Sequence, residues 1–515
     1  MANYVSHRCL FVLTGYHSWT RFPDERLSLP YQITMTGDTR PNVVFIVLDT
    51  CRADTFYELL DTGQLPGIER ITAGARTYRN AVSAAPWTVP SHGSLFSGLY
   101  PTDHGTSADD PYFDPPTTPL AERLRSSGYR TAGLSANPWI TPSFGFTTGF
   151  EQFKTANELF WGGEDISDLS NLDSRYAQLS ELLDRTSLPN LPKTLSNAVY
   201  SKFFAKQSDA GANNLTRSAV KWITERSAED SFFLFCNYME PHIRYDPPSQ
   251  FLQAELPDDV DEEAARAVHQ DQWAYVAGDV EMSERDFEIL RCLYRAEIRY
   301  LDTHLERLYE CLLDEKLLDE TAIVLVGDHG ENIGDHGLMD HQYCLYETLL
   351  HVPMAVRYPP AFEAGTTDRL VETRALYETV AELAGIEAAD AETAPSLIDA
   401  DDREHAIAEY TSPQPSVETL DEEYGPLDED IWQYDRSLRS IRTSRWKYIE
   451  GSDGTEELYD LHADPSESTP VDAADARSEL PDILEARRGE LRGPSREQAD
   501  IDESSAQRLR DLGYL

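Results

Sequence analysis

Val43 to Leu48 is an unbroken apolar run, rich in β-branched residues, that ends abruptly in Asp49. A run this short with no polar face suits a strand covered on both sides, as in the interior of a parallel sheet. Similar runs recur at Thr131–Leu134, Phe232–Phe235 and Ala322–Val326, and helical patterns at Leu120–Ser126, Thr216–Glu225 and Asp286 to about Leu313 lie between them. Strands alternating with helices imply an α/β fold with a mainly parallel central sheet flanked by helices. Residues up to about 40 read as no element, and Met35, just before Pro41, is a candidate for the true start. One large unit is expected over 41–386, with a polar helical insertion at about 155–212. After a linker at 387–402, Ser440–Ile449 and Glu457–Leu461 read as strands of a second sheet, and the tail after about Ser478 as a charged helix. These make a smaller C-terminal α+β subdomain over 387–515.

Ligands of a parallel sheet collect beyond the carboxyl ends of its strands. Here Val43–Leu48 delivers Asp49, and Ala322–Val326 delivers Asp328 and His329. Thr131–Leu134 leads to Asn137, and Phe232–Phe235 to Glu240 and His242. Any one of these alone is weak, because Asp and Asn often only cap the following turn. Together they describe one edge. A second ingredient is the stretch Ala85 to Gly98, in which Pro90 suits a first helical turn and Gly98 a helix end. Thr88 is then expected just before a helix N-terminus, where free N–H groups favour an anion such as a phosphoryl or sulfuryl group. A plain N-cap is the local alternative for this threonine.

Charge narrows the partners. The chain carries 91 acidic against 44 basic residues, a net charge of −47 spread along its whole length. Such a surface repels nucleic acid and anionic membrane, and it suits a protein kept soluble in very high salt, hence a halophilic source. With 40 % hydrophobic residues, a sizeable core is available. The six cysteines form no CxxC pair, so reduced thiols in a cytoplasm are expected. No stretch approaches the roughly 20 apolar residues of a membrane span. Oligomeric state is not legible. The acidic runs Asp258–Glu263 and Asp421–Asp430 read as solvated surface, since neither has calcium-loop spacing.

Longer motifs bring in a family. Pro41 to Thr50 followed by Arg52-Ala53-Asp54 resembles the opening strand of sulfatases. Pro90-Ser91, Ser94-Leu95, Gly98, Tyr100-Pro101 and His104-Gly105 resemble their active-site helix. Gly327 to Glu331, continued by Gly334 to Gly337, resembles their second metal motif, with Leu345 to Glu347 and Val352-Pro353 following. Arg445 to Tyr448, Glu457 to Leu461 and Asp464-Pro465 resemble the C-terminal subdomain. The chain therefore resembles the sulfatase-like family of the alkaline phosphatase superfamily from about Pro41 to its end.

The resemblance implies an alkaline-phosphatase-like fold and an ester hydrolase or transferase holding one divalent ion (Mn, Zn, Mg or Ca) on Asp49, Thr88, Asp328 and His329. One histidine with three oxygens suits the first three ions better than calcium. Typical members carry a Cys or Ser that becomes formylglycine, with Pro two and Arg four residues on. Here those positions are Thr88, Pro90 and His92, so no formylglycine is expected. Thr50 follows Asp49 where a second acid is usual. Asn137 is the nearest substitute for a polar family segment near Ser135–Trp139, and His341 for a later lysine.

These departures favour relatives acting on phosphate esters, including phosphodiesterases and phosphoglycerol transferases, while the family at large favours sulfate esters on small molecules or glycans. The implied mechanism is in-line attack by Thr88 on the ester, giving a phospho- or sulfo-threonine that water or another alcohol discharges. His242 and His341 are the candidates for protonating the leaving group or stabilising charge. Glu240, His336 and Arg244 are weaker ones. Cys51 lacks the Pro and Arg spacing and reads as a small buried neighbour of Asp49. A binding protein that has kept the fold without catalysis is the competing class.

Overall fold

The computed structural model describes residues 40–155, 211–226, 230–389, 392–398, 403–494, 501 and 509. The N-terminal extension, the expected Met35 start and nearly all of the 155–212 insertion lie outside them. The large sheet has eight strands: β1 (Asn42–Leu48), β2 (Arg76–Val82), β3 (Arg130–Ser135), β4 (Gln152–Thr155), β5 (Phe232–Tyr238), β6 (Thr321–Gly327), β7 (His351–Arg357) and β8 (Gly365–Glu372). Their order is β4-β3-β5-β1-β6-β7-β2-β8. Every pairing is parallel except the two that β7 makes, with β6 and with β2. The fold is α/β with a mainly parallel sheet flanked by helices.

The opening run is apolar throughout because both of its faces are covered. Val43, Phe45 and Val47 join one core, with Phe233, Phe235, Val324 and Val326 beside them. Val44, Ile46 and Leu48 join the core on the other face, with Leu234, Ile323 and Leu325. Beneath that second core runs the 31-residue helix Glu284–Asp314. Its start is fixed by reciprocal bonds between Ser283 and Asp286, a capping box that satisfies otherwise unpaired backbone donors. The expected helices at Leu120–Ser126 and Thr216–Glu225 are observed at Leu120–Ser126 and Ala212–Glu225.

The second sheet has the order β12-β11-β10-β9, all antiparallel, from β9 (Ala406–Tyr410), β10 (Leu438–Arg442), β11 (Trp446–Gly451) and β12 (Glu456–Asp460). The single strand expected at Ser440–Ile449 is a hairpin instead. The chain reverses at Thr443–Arg445, where the Thr443 hydroxyl accepts from the Arg445 and Trp446 amides, a turn closed by a side chain without glycine or proline. Ile407, Ile441, Tyr448 and Leu458 pack on Leu480 and Leu484 of the helix Ala474–Arg488. Ala406, Ala408, Leu438 and Ile449 on the opposite face are continuous with the core of the large sheet. Among the described residues no helix is long and apolar enough to cross a membrane, and Cys51, Cys236, Cys292, Cys311 and Cys344 are free thiols.

Candidate active site

The central strands β3, β5, β1 and β6 are neighbours in the sheet and run parallel, so their carboxyl ends lie side by side. The residue after β1 is Asp49, and the next, Thr50, takes φ of 54°. A β-branched residue strongly disfavours this left-handed conformation. Two bonds hold it: the Thr50 amide donates to Asp328 Oδ1 at 3.2 Å, and Tyr294 of the long helix donates to the Thr50 carbonyl at 2.7 Å. Asp49 and Asp328 are thereby fixed against each other. Gly330 is required by close approach, since a β-carbon there would lie 1.9 Å from the Thr348 carbonyl oxygen.

Thr88 is the first residue of the helix Thr88–Ser97, not the residue before it, and the cap position belongs to Trp87. Gly98 ends the helix with φ of 76°. Ser91 Oγ donates to the Asp328 carbonyl at 2.7 Å and ties the first helical turn to the end of β6. The Thr88 side chain does not cap. Its Oγ1 lies 3.3 Å from His329 Nε2 and accepts from Asn137 Nδ2 at 3.3 Å. Asn137 Nδ2 also donates to Asp49 Oδ2 at 2.6 Å.

Asp49, Asp328 and His329 form one compact group whose ligand atoms lie within 4.8 Å of one another. His329 Nε2 is 3.6 Å from Asp49 Oδ1 and 3.5 Å from Asp328 Oδ2. Its Nδ1–H donates to the Gly330 carbonyl at 2.9 Å, which leaves the lone pair on Nε2. Asp49 Oδ1 and Asp328 Oδ2 are buried without any hydrogen-bond partner. Burial and the neighbouring Asp328 hold Asp49 well above the usual carboxylate range against the Asn137 bond, and burial likewise raises Asp328. Burial, and then His341, drives His329 well below its ordinary value. Two orphaned carboxylate oxygens, a neutral imidazole lone pair and a hydroxyl form a donor set that fits a divalent cation of the Zn, Mn or Mg type.

The remaining candidates divide. The His242 ring centre lies 5.0 Å from that of His341, which lies 4.9 Å from that of His329, so three imidazoles form a row. His242 Nδ1 bonds the Ile243 carbonyl and His341 Nδ1 bonds Glu331 Oε1 at 3.1 Å. Burial lowers both rings to about 3, with His341 adding to the effect on His242. Glu240 is buried and accepts from the Ala212 amide at 3.0 Å, at the start of the helix Ala212–Glu225. Arg244 is exposed, and His336 is exposed and stacked on Tyr346 at 3.8 Å. Cys51 sits in the core with a thiol raised by burial and by Asp328, which keeps it protonated.

Two residues at the site were not among the sequence candidates. His92, one turn on from Thr88, donates from Nδ1 to the Thr88 carbonyl at 3.0 Å and lies 3.5 Å from Asp328 Oδ2. Burial lowers it to about 4. Its helical spacing from Thr88 was the available signal. Glu331, fully buried and pushed up to about 7 by burial against the pull of His242, is the other. It was visible only as a letter in a motif.

The profile described as sulfatase matches residues 41–386, and that of the N-sulphoglucosamine sulphohydrolase C-terminal region matches residues 334–493. A protein named sulfatase from Formosa agariphila is 23 % identical over 499 residues, covering 89 % of this chain and 87 % of that one. Two solved structures share the fold. BT4656, solved in complex with its substrate D-glucosamine-2-N,6-O-disulfate, has a TM-score of 0.64 at 18 % identity over 87 % of this chain and 97 % of that one. The phosphonate monoester hydrolase of Agrobacterium radiobacter has a TM-score of 0.63 at 18 % identity over 87 % and 95 %.

Proposed function

This chain belongs to the sulfatase family and is an ester hydrolase, and we propose that it cleaves a phosphate or sulfate ester with the Thr88 hydroxyl as nucleophile, without formylglycine. The observation that carries this reading is the position of Thr88 Oγ1, 3.3 Å from both His329 Nε2 and Asn137 Nδ2. A threonine kept for helix capping alone would bond backbone amides, and this one does not.

Asp49, Asp328 and His329, with Thr88 Oγ1, would hold one divalent cation. When bound, it supplies positive charge that lowers the hydroxyl pKa and stabilises the ester oxygens. Asn137 orients both the Asp49 carboxylate and the Thr88 hydroxyl through a single amide nitrogen. The first turn of the Thr88–Ser97 helix presents free backbone N–H groups to an anion. Thr88 Oγ attacks the phosphorus or sulfur in line, and its proton passes to the neutral Nε2 of His242 or His341. The ester oxygen departs as the alcohol, taking up the proton that this ring has accepted. Water, or a second alcohol in a transferase, then releases the group from Thr88. Phosphate is the substrate we favour, because a threonine stands where sulfate-cleaving members keep the convertible residue.

The test uses protein purified with Mn²⁺ in high salt, which screens the net charge of −47. Turnover of nitrophenyl phosphate, nitrophenyl phosphodiester and nitrophenyl sulfate is compared between the wild type and Thr88→Ala. Phosphorylated Thr88 trapped by mass spectrometry is the expected result. Equal rates in the variant would sink the nucleophile assignment, whereas no turnover by the wild type would favour a binding protein on the same fold.

A further inference from the structure

His341 occupies the middle of the imidazole row, 4.9 Å by ring centre from the proposed ligand His329 and 5.0 Å from His242. It is fully buried, as is Glu331, and their contact at 3.1 Å is a hydrogen bond from one ring nitrogen to one carboxylate oxygen. Glu331 is held on its other side by the architecture of the metal motif. Its carbonyl accepts from Arg52 Nη1 at 3.1 Å, and the same guanidinium is fixed by Asp335 at 2.7 Å and Asp54 at 2.6 Å. The carboxylate thus hangs from a rigid backbone point, while the imidazole sits on a different segment of the chain.

We propose that Glu331 is a positioning residue that acts through His341, fixing the ring so that Nδ1 carries the proton and Nε2 serves the reacting group. A carboxylate behind an imidazole sets its tautomer and orientation. No such partner is needed by an ammonium group, which is symmetric about its own axis. Histidine has two unlike nitrogens, and without Glu331 the neutral ring distributes its proton between them and half of the tautomers fail. The inference rests on the role given to His341 in the proposed function. It adds the residue that makes that role workable in this chain.

The experiment is a double-mutant cycle in the full-length Mn²⁺-loaded protein, with Glu331→Gln, His341→Gln and the double variant. Glutamine keeps the volume of each site, and the thermal midpoint and Mn²⁺ stoichiometry by calorimetry check that fold and metal group survive. The nitrophenyl ester turned over fastest by the wild type is the substrate. His341→Gln is expected to lower kcat about 100-fold, and Glu331→Gln about 10-fold or more, both with KM nearly unchanged. The double variant should be no slower than His341→Gln alone, because Glu331 has nothing left to position. Losses that multiply in the double variant, or a wild-type kcat in Glu331→Gln, overturn the inference and leave the role of His341 standing. A wild-type kcat in His341→Gln overturns that role and the inference with it.

Discussion

Glu347, bonded to the small sheet, and Asp328, at the carboxyl edge of the large one, are both carboxylates withdrawn from solvent, yet their surroundings push them in opposite directions. Burial raises Glu347, but Arg442 at 2.9 Å and Lys447 at 3.0 Å overcome it and hold the carboxyl at about 2. Lys447 is shared with Glu467 at 2.9 Å. Glu372 repeats the pattern, with Arg374, Arg403 and Tyr100 holding it low despite full burial. Among the described residues, Asp49 and Asp328 have no arginine or lysine as partners. Their neighbours are each other, an amide and neutral imidazoles. Glu347 and Glu372, supplied with cations by the chain, are structural, whereas Asp49 and Asp328, facing each other with an orphaned oxygen apiece, are poised for a cation from outside.

The comparison is broken most sharply by chemistry. Thr88→Ala removes the proposed nucleophile from the edge without touching the ion pairs, so turnover should fall about 10³-fold or more while the thermal midpoint barely moves. Steady-state rates with calorimetry on one preparation test both halves. The next effect lies at the other region. Glu347→Gln leaves Arg442 short of its partner and Lys447 with Glu467 only, and should destabilise the fold by about 3 kcal/mol. Denaturant unfolding reads this, and a loss under about 1 kcal/mol would mean that the network is not a structural one.

Much of this contrast was legible in the sequence. Val43–Leu48, Phe232–Phe235 and Ala322–Val326 announce themselves because both faces are buried, and the polar residues at their carboxyl ends mark the edge. Glu347 and Lys447 were recognised as parts of separate motifs, but the ion pair joining them required three dimensions. Four strands of the large sheet, and β9 of the small one, were not read at all. β4 and β8 are sheet edges with one partner each, so their residues alternate or stay polar. β2 mixes buried and half-exposed positions, and β7 contains Pro353, which sits where the register against β2 shifts and no ladder donor is required. Within the site, ligands at strand ends could be found by position. Glu331 could not, because its role lies in a contact with a residue ten positions on that no periodicity predicts.

Metal removal sharpens the same contrast through pH. Both site aspartates have folded pKa values raised above the ~4 of a free aspartate. Chelator-treated protein therefore keeps the corresponding stability only below about pH 4 and loses it as pH rises through the raised range. A bound cation needs both carboxylates ionised, so its stabilisation grows over that interval. The rise in thermal midpoint on adding Mn²⁺ should be larger at about pH 8 than at about pH 5.5. Equal rises at the two values would mean that protons and metal do not compete at this group.

The smallest effect has the least intuitive sign. Asp328→Asn keeps an oxygen for the Thr50 and His329 amides, now 3.2 and 2.8 Å from Oδ1. It also turns an amide nitrogen toward His329 Nε2 and removes one of two facing buried carboxylates. In chelator-treated protein at about pH 8 the substitution should therefore stabilise the fold, by about 1 kcal/mol, while abolishing the gain from Mn²⁺. The matching change at Glu347 destabilises. Opposite signs from the same chemical substitution would mark one acid as held by the fold and the other as held ready by it. A destabilised Asp328→Asn protein would place Asp328 with the structural acids.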